Sequence, residues 1–285
     1  MTTNISKIIT VICICLMTSC SDKVDFGEQY KKTVYIVNST LGLHTGQHFF
    51  DAVNDEIVIS VYCASTKPIT SDLRTRFKID RQALDSLNNF FSSVDPSFIA
   101  KVMLPPENYQ LDGELYTTID AGAQYGTLRI PFHFTGLDPD IAYTLPVTLV
   151  SNSADYDINP QLRSIVYEVK MENQYSGEYA GSSQESPTVV RGVLPVLKAL
   201  NVNTVRMPIH NLSDDRLNIN TNFMVLTIAN NGSVEITPWA NANVTDLGES
   251  FYDAASQTFE LNYEFTNTSG NTFTISQIIT NINKN

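Results

Sequence analysis

The chain has 285 residues, with 30 acidic against 18 basic side chains, for a formal net charge of −12. Neither half is basic, which argues against nucleic acid as a partner and disfavours polyanions in general. Three of the four cysteines (Cys13, Cys15 and Cys20) lie within the first 20 residues, so no disulfide framework supports the fold and burial must do so.

Lys7 and the apolar run from Ile8 to Met17 read as a secretory signal over residues 1–19. Small Ser19 directly before Cys20 resembles the lipobox of bacterial lipoproteins, whose cysteine is diacylated before the chain is cut ahead of it. Met17 stands where that pattern prefers Leu. The resemblance implies lipidation of Cys20 and a membrane anchor, at about 0.8 kcal/mol per buried methylene of acyl chain. The other reading is an ordinary signal with a chance cysteine. Loss of Lys7 leaves the mature chain at −13. Residues 20–32, polar and without period, form a tether. Ser21-Asp22 resembles the acidic signals that send some lipoproteins to the outer face of the outer membrane, although Lys23 and Val24 interrupt it.

Thr33 to Val37 begins the folded part as a β-branched strand. His44 and His48 stand four apart in a segment read as a loop because of Gly42 and Gly46, so a metal site is not expected there. Glu56 to Ala64 alternates as a strand and places Cys63 on its buried face with Ile57, Ile59 and Val61. Asp80 is an N-cap candidate for a helix whose Ala83, Leu84, Leu87 and Phe91 share one face and cover the sheet. Strands are expected at Tyr109–Leu111, Leu115–Ile119, Gly126–Phe134, Tyr143–Ser151 and Arg163–Met171, separated by turn chemistry at Pro105-Pro106, Asp112-Gly113 and Gly136–Asp140. His133 falls on a solvent face. Short strands at this spacing predict a β-sandwich.

Several segments recur in one order: Asp80 with its helix, Met103-Leu-Pro-Pro-Glu-Asn-Tyr109, Gly136-Leu-Asp-Pro-Asp140 with Tyr143-Thr-Leu-Pro146, and Asp157-Ile-Asn-Pro160. The series resembles the immunoglobulin-like N-terminal module of lipoproteins encoded beside the outer-membrane glycan importers of gut-type Gram-negative bacteria. It spans residues 33–171. The resemblance implies a surface glycan-binding or accessory protein in which this module, without a catalytic motif, acts as a spacer.

Met171–Gln174 marks a boundary, after which Asn, Thr and Ser replace charged residues. Residues 172–285 form the second domain. Tyr175 to Gly181 resembles the opening strand of a lipocalin-like barrel, and strands are expected at 188–197, 204–210, 222–229, 233–239, 258–266 and 272–279. Asn230-Asn231-Gly232 signals a hairpin with positive φ at both turn positions. The fold class is therefore all-β: an immunoglobulin-like β-sandwich, then a lipocalin-like β-barrel or a second sandwich.

No nucleophile elbow, zincin, phosphate-loop or dinucleotide motif occurs. The paired aspartates Asp138/Asp140 and Asp155/Asp157 read as turn chemistry rather than calcium ligands. Two carboxylates would suffice for a glycosidase, but short connections leave little chain for a deep cleft. No catalytic residue, metal or cofactor is expected. A sugar needs flat aromatic platforms beside planar polar groups. Trp239, the sole tryptophan, before Ala240-Asn-Ala-Asn243, and Tyr252, between Phe251 and Asp253, are the candidate ligand-binding residues; core packing is the competing reading of Trp239. The expectation is a lipid-anchored outer-membrane protein that binds glycan for a neighbouring importer complex. The alternatives are an accessory subunit docking on that importer or on an enzyme, and a glycoside hydrolase.

Overall fold

A computed structural model describes residues 28, 30–39, 42–52, 55–186 and 188–283. The expected signal, Cys20 and most of the tether therefore lie outside the described residues. Among the described residues the first module contains ten strands and one long helix. These are β1 Thr33–Ile36, β2 Leu43–Phe49, β3 Glu56–Ala64, β4 Leu73–Ile79, α1 Arg81–Val94 and β5 Val102–Met103. There follow β6 Tyr116–Ile119, β7 Tyr125–Pro131, β8 Tyr143–Asn152, β9 Asp157–Ile158 and β10 Ser164–Glu172.

They form two facing sheets, one ordered β7-β3-β1-β9 and the other β2-β10-β8-β4-β6 with β5 beside β8. Strict alternation in β3 sends Ile57, Ile59, Val61 and Cys63 inward, against Leu128 and Ile130 of β7 and Leu145, Val147 and Leu149 of β8. Burial pushes the Cys63 thiol up, as suits a small apolar core residue. Helix α1 lays Leu84 and Leu87 on Val166 of β10 and covers the outer face of the second sheet, so β8 is buried on both faces. Asp80 sits at the N-cap position but makes no capping hydrogen bond, and instead pairs with Lys78 at 3.2 Å.

The reading of residues 42–48 as a loop is corrected, since β2 runs parallel to β10 at the edge of the second sheet. Gly46 serves no turn there: a Cβ would overlap the hydroxyl of Tyr167, which lies over that backbone. The Tyr167 hydroxyl reaches His48 Nε2 at 3.0 Å, and His48 Nδ1 reaches Asp55 Oδ1 at 2.7 Å. A carboxylate can only accept, so Nδ1 donates to Asp55, and in the neutral ring Nε2 accepts from Tyr167. His48 thus links Tyr167 to Asp55 in a structural relay, with His44 edge-on to Tyr167.

The second module contains β11 Gly177–Ser186, β12 Val189–Val193, β13 Val196–Asn201, β14 Thr204–Pro208 and the short helix α2 Ile219–Asn222. It continues with β15 Phe223–Ile228, β16 Val234–Pro238, β17 Val244–Asp246, β18 Phe251–Asp253, β19 Thr258–Thr266 and β20 Thr272–Asn281. One continuous sheet runs β16-β15-β14-β13-β11-β20-β19-β17. It nearly closes on itself, because Ser233 bridges Phe251, Val234 N–H donates to Ser250 O and Ile236 N–H donates to Asp246 Oδ2. Where one strand was expected over 188–197, Leu194-Pro195 separates β12 from β13. At Asn230-Asn231-Gly232 only Gly232 has positive φ (86°), so the hairpin is a turn closed by Gly232 N–H to Ala229 O with a glycine bulge, not a two-residue turn.

The barrel is filled rather than hollow. Tyr179, Phe259 and Tyr263 lie at its centre with Leu226, Met207 and Leu261. Some of the polar groups inside pair with one another: Tyr263 OH donates to Gln277 Oε1 at 2.6 Å and accepts from His210 N–H at 2.8 Å, while Gln277 Nε2 has no hydrogen-bond partner among the described residues. Burial pushes the Tyr263 hydroxyl well up, so it stays neutral. Among the described residues no helix is long and apolar enough to cross a membrane.

The modules meet at a corner built on buried Asn173. Its Nδ2 donates to Asn201 O (2.6 Å) and Thr204 O (3.0 Å), while its Oδ1 accepts from the backbone of Tyr175 and Ser176. A second tie joins Asp140, in the Gly136–Asp140 turn, to the barrel. Arg206 Nη2 donates to Asp140 Oδ1 at 2.5 Å and Lys198 Nζ to the same oxygen at 2.8 Å. Burial alone would raise the Asp140 carboxyl, but these two cations hold it below the ordinary carboxylate range.

Candidate functional site

Trp239 directly follows β16 on the outer face of the barrel, half-buried. The Arg206 guanidinium lies 4.7 Å from its ring centroid and 5.1 Å from that of Phe223. One face of the indole therefore covers the buried arginine of the inter-module tie and is not open to a ligand. Tyr252 is corrected outright. It is 8% exposed, its ring meets Tyr175 edge-on at 5.0 Å and Phe259 at 4.5 Å, and it belongs to the barrel core. The reason lies in β18, where register with β19 sets Tyr252 opposite inward-facing Phe259 and leaves Phe251 outside.

The loop after Trp239 does reach a cleft. At one end of the barrel, segments 209–222, 239–243 and 266–271 surround a cavity of about 400 Å³. Its wall carries five asparagines (218, 222, 241, 243 and 267), three threonines (221, 266 and 268) and an apolar floor of Ile209, Leu212 and Phe265. Backbone bonds stitch the three segments together: Asn241 N–H to Asn220 O, Ile209 N–H to Asn222 O and Thr266 N–H to Asn243 O. Side chains brace them further. Asn222 Nδ2 donates to Ser213 O, and Asn267 Oδ1 accepts from the backbone of Ser269 and Asn271. His210 and Ala240, at the entrances of two segments, hold left-handed backbone (φ 50° and 48°), a conformation that disfavours side chains and clusters where loops are tightly determined.

Asn222 and Asn267 are thus committed to the scaffold. Among the described residues the side-chain amides of Asn218, Asn241 and Asn243, three residues of the cleft lining, have no hydrogen-bond partner, so each keeps a donor and an acceptor free. No ionisable side chain lines it. The wall can exchange hydrogen bonds with neutral hydroxyls in both directions over an apolar floor, and it supplies neither a charge nor an acid–base pair. A cavity of about 420 Å³ between the modules is chemically different. It is lined by Asp140, Glu168, Lys170, Glu172, Glu178 and Lys198, and Lys170 pairs with Glu172 (2.7 Å), Lys198 with Asp140 (2.8 Å) and Glu168 with Lys101 outside the lining (3.0 Å).

Of the cleft residues, sequence reasoning reached Asn241 and Asn243 only as neighbours of Trp239, and it missed Asn218. The available signal was the clustering of Asn and Thr in three separate loops, Asn218-Ile-Asn-Thr-Asn222, Ala240-Asn-Ala-Asn243 and Thr266-Asn-Thr268, which only the closed sheet brings to one end.

Comparison with known proteins finds two family models in the chain, the second beginning within the span assigned above to the first module. A family model for an N-terminal domain matches residues 30–155, and one for a C-terminal domain matches residues 163–280. A crystallised Bacteroides ovatus protein of unknown function superposes with a TM-score of 0.64 at 14% identity, over 87% of this chain and 93% of that one. A B. ovatus multidomain protein containing a domain of unknown function gives 0.63 at 16%, over 89% and 93%. An auxiliary nutrient binding protein from B. thetaiotaomicron gives 0.58 at 14%, over 84% and 90%. At these identities the likeness is one of fold. No curated protein matches the sequence.

Proposed function

Because the chain belongs to the two-domain family whose N- and C-terminal models it matches, we propose that it captures a neutral glycan in the cleft at the end of its barrel. The observation that carries this reading is the set of three unpartnered amides, Asn218, Asn241 and Asn243, on a wall without an ionisable group. Sugars offer hydroxyls that both donate and accept, and planar amides match them better than charges do. The braced loops lose little entropy on binding. The nutrient-binding protein of the same fold supports a nutrient ligand. The role is binding rather than catalysis, since a glycosidase needs two carboxyl groups at the bond it breaks and the cleft lining has none.

The protein is further proposed to hang from the outer membrane by a lipid on Cys20 and to hand glycan to an importer complex. Support for the anchor is the Ser19-Cys20 junction behind an apolar run. Cys20→Ala should move the protein from the membrane fraction to the soluble one; retention on membranes after a high-salt wash would refute the anchor.

Native affinity electrophoresis of the mature chain tests the ligand class. Soluble starch, barley β-glucan, xyloglucan and yeast mannan serve as neutral polymers, with polygalacturonate and heparin as anionic ones. At least one neutral polymer should retard the protein, equally at pH 5 and pH 8 and at low and high salt, because no cleft residue titrates in that range. Retardation by anionic polymers alone, or none at all, would contradict the proposal.

A further inference from the structure

Three tyrosines of the first module stand where the core does not need them. On β1, β3 and β7 the inward phase is filled by Val34 and Ile36, by Val61 and Cys63, and by Gly126 and Leu128. Tyr35, Tyr62 and Tyr125 occupy the opposite phase, and register sets them directly across from one another in a single row over three strands. The ring centroids are 5.3 Å apart for Tyr35–Tyr62 and 4.6 Å for Tyr62–Tyr125, with the planes tilted by 59° and 49°. Tyr125 is 60% exposed. Burial, then its two tyrosine neighbours, raises the Tyr35 hydroxyl.

The surroundings of the row select its partner. The neighbouring outward pair is Ser60 opposite Thr127, and beyond Val58 and Arg129 come Glu56 and Pro131. Arg129 and Glu56 neutralise each other at 2.8 Å. This face therefore offers one continuous aromatic strip beside free hydroxyls, with Val58 as its exposed aliphatic side chain. A protein hot spot wants a desolvated pocket ringed by apolar contacts. A strip open on both sides, whose rings pair an apolar face with a hydroxyl edge, fits the C–H faces and outward hydroxyls of a chain of pyranose rings. The tilt between rings suits a twisted soluble chain better than a flat crystalline one.

We propose that Tyr35, Tyr62 and Tyr125 form a second glycan platform on the first module, making the protein bivalent for one polymer. The ligand class rests on the reading of the barrel cleft. The two sites lie on modules tied by the Asn173 corner and the Asp140–Arg206 pair, so occupation of one raises the effective concentration of polymer at the other.

The test uses the full mature chain in four forms, titrated with the retained polymer of the panel above and with a short oligosaccharide cut from it. The forms are wild type, a cleft variant (Asn218→Ala, Asn241→Ala, Asn243→Ala), a row variant (Tyr62→Ala, Tyr125→Ala) and the two combined. The row variant is expected to lose roughly 30-fold in polymer affinity, the cleft variant to retain weak binding, and the combined variant to show none. Tyr125→Phe should bind as wild type does, since it keeps the ring; Tyr125→Ala alone, at an exposed position, guards against misfolding of the double change. Polymer binding by both Tyr125→Ala and the row variant indistinguishable from wild type overturns the platform while leaving the cleft untouched. If instead those variants bind normally but lose self-association in sedimentation, the row is a protein contact and the proposal is equally wrong. An effect of the row variant without one of the cleft variant sustains the platform and removes the cleft reading. Retention of no polymer by any form removes both.

Discussion

Asp140→Asn is expected to lower the unfolding free energy by about 3–5 kcal/mol at pH 7, the range for breaking a buried ion pair from one side. Arg206 is 1% exposed and its Nε and Nη1 have no other partner among the described residues, so the substitution strands a guanidinium between Trp239 and Phe223. Lys198 shares the same oxygen but is 43% exposed, and Lys198→Ala should change stability by no more than about 1 kcal/mol. The pH dependence follows in sign. A carboxyl held below its unfolded value of about 3.9 contributes stability that is fully present above that pH and is lost as pH falls through its folded value. Wild type should therefore lose this increment only in acid, and Asp140→Asn should lack it throughout. Calorimetric scans at pH 7 and pH 3 check both statements; a variant that melts with wild type at pH 7 would show that the tie carries no stability.

Tyr252→Ala should have an effect of comparable size by a different route. Removing a buried aromatic ring typically destabilises by about 3–5 kcal/mol, and the edge-on contact with Tyr175 lies within the ring lost. Urea unfolding followed by the emission of Trp239, the single tryptophan, reads the barrel directly. Glycan affinity of the fraction that remains folded should not change. The opposite pattern, normal stability with lost binding, would restore Tyr252 to the ligand site that its place between Phe251 and Asp253 first suggested.

Strand phase was legible in the sequence wherever one face is apolar and the other is not. Glu56–Ala64 and Thr258–Thr266 are found with the expected bounds, and Leu84 and Leu87 of α1 cover the sheet as their spacing requires. Residues 43–49 were illegible because Gly46 answers to a tyrosine hydroxyl more than 100 positions away, which local glycine chemistry cannot report. Tyr252 misled because a three-residue strand is too short to display its own phase. Tyr35, Tyr62 and Tyr125 lie on outward phases that the alternation of their own strands makes legible. Asn218 comes from one connection of the chain and Asn241 and Asn243 from another, and their meeting depends on how the sheet closes. Asp140 looked like turn chemistry, and Asp138 Oδ1 does accept its N–H at 2.9 Å; the side chain, however, serves the other module.

The most direct measurement is calorimetric titration of a retained neutral oligosaccharide into the mature chain and into Asn218→Ala/Asn241→Ala/Asn243→Ala. These amides have no hydrogen-bond partner among the described residues, so the variant should keep the wild-type melting temperature within a degree or so. Each lost hydrogen bond to ligand contributes about 0.5–1.5 kcal/mol, and three together should weaken binding by at least about tenfold. Unchanged affinity in a variant with unchanged stability would place the ligand elsewhere and contradict the cleft as the site of capture.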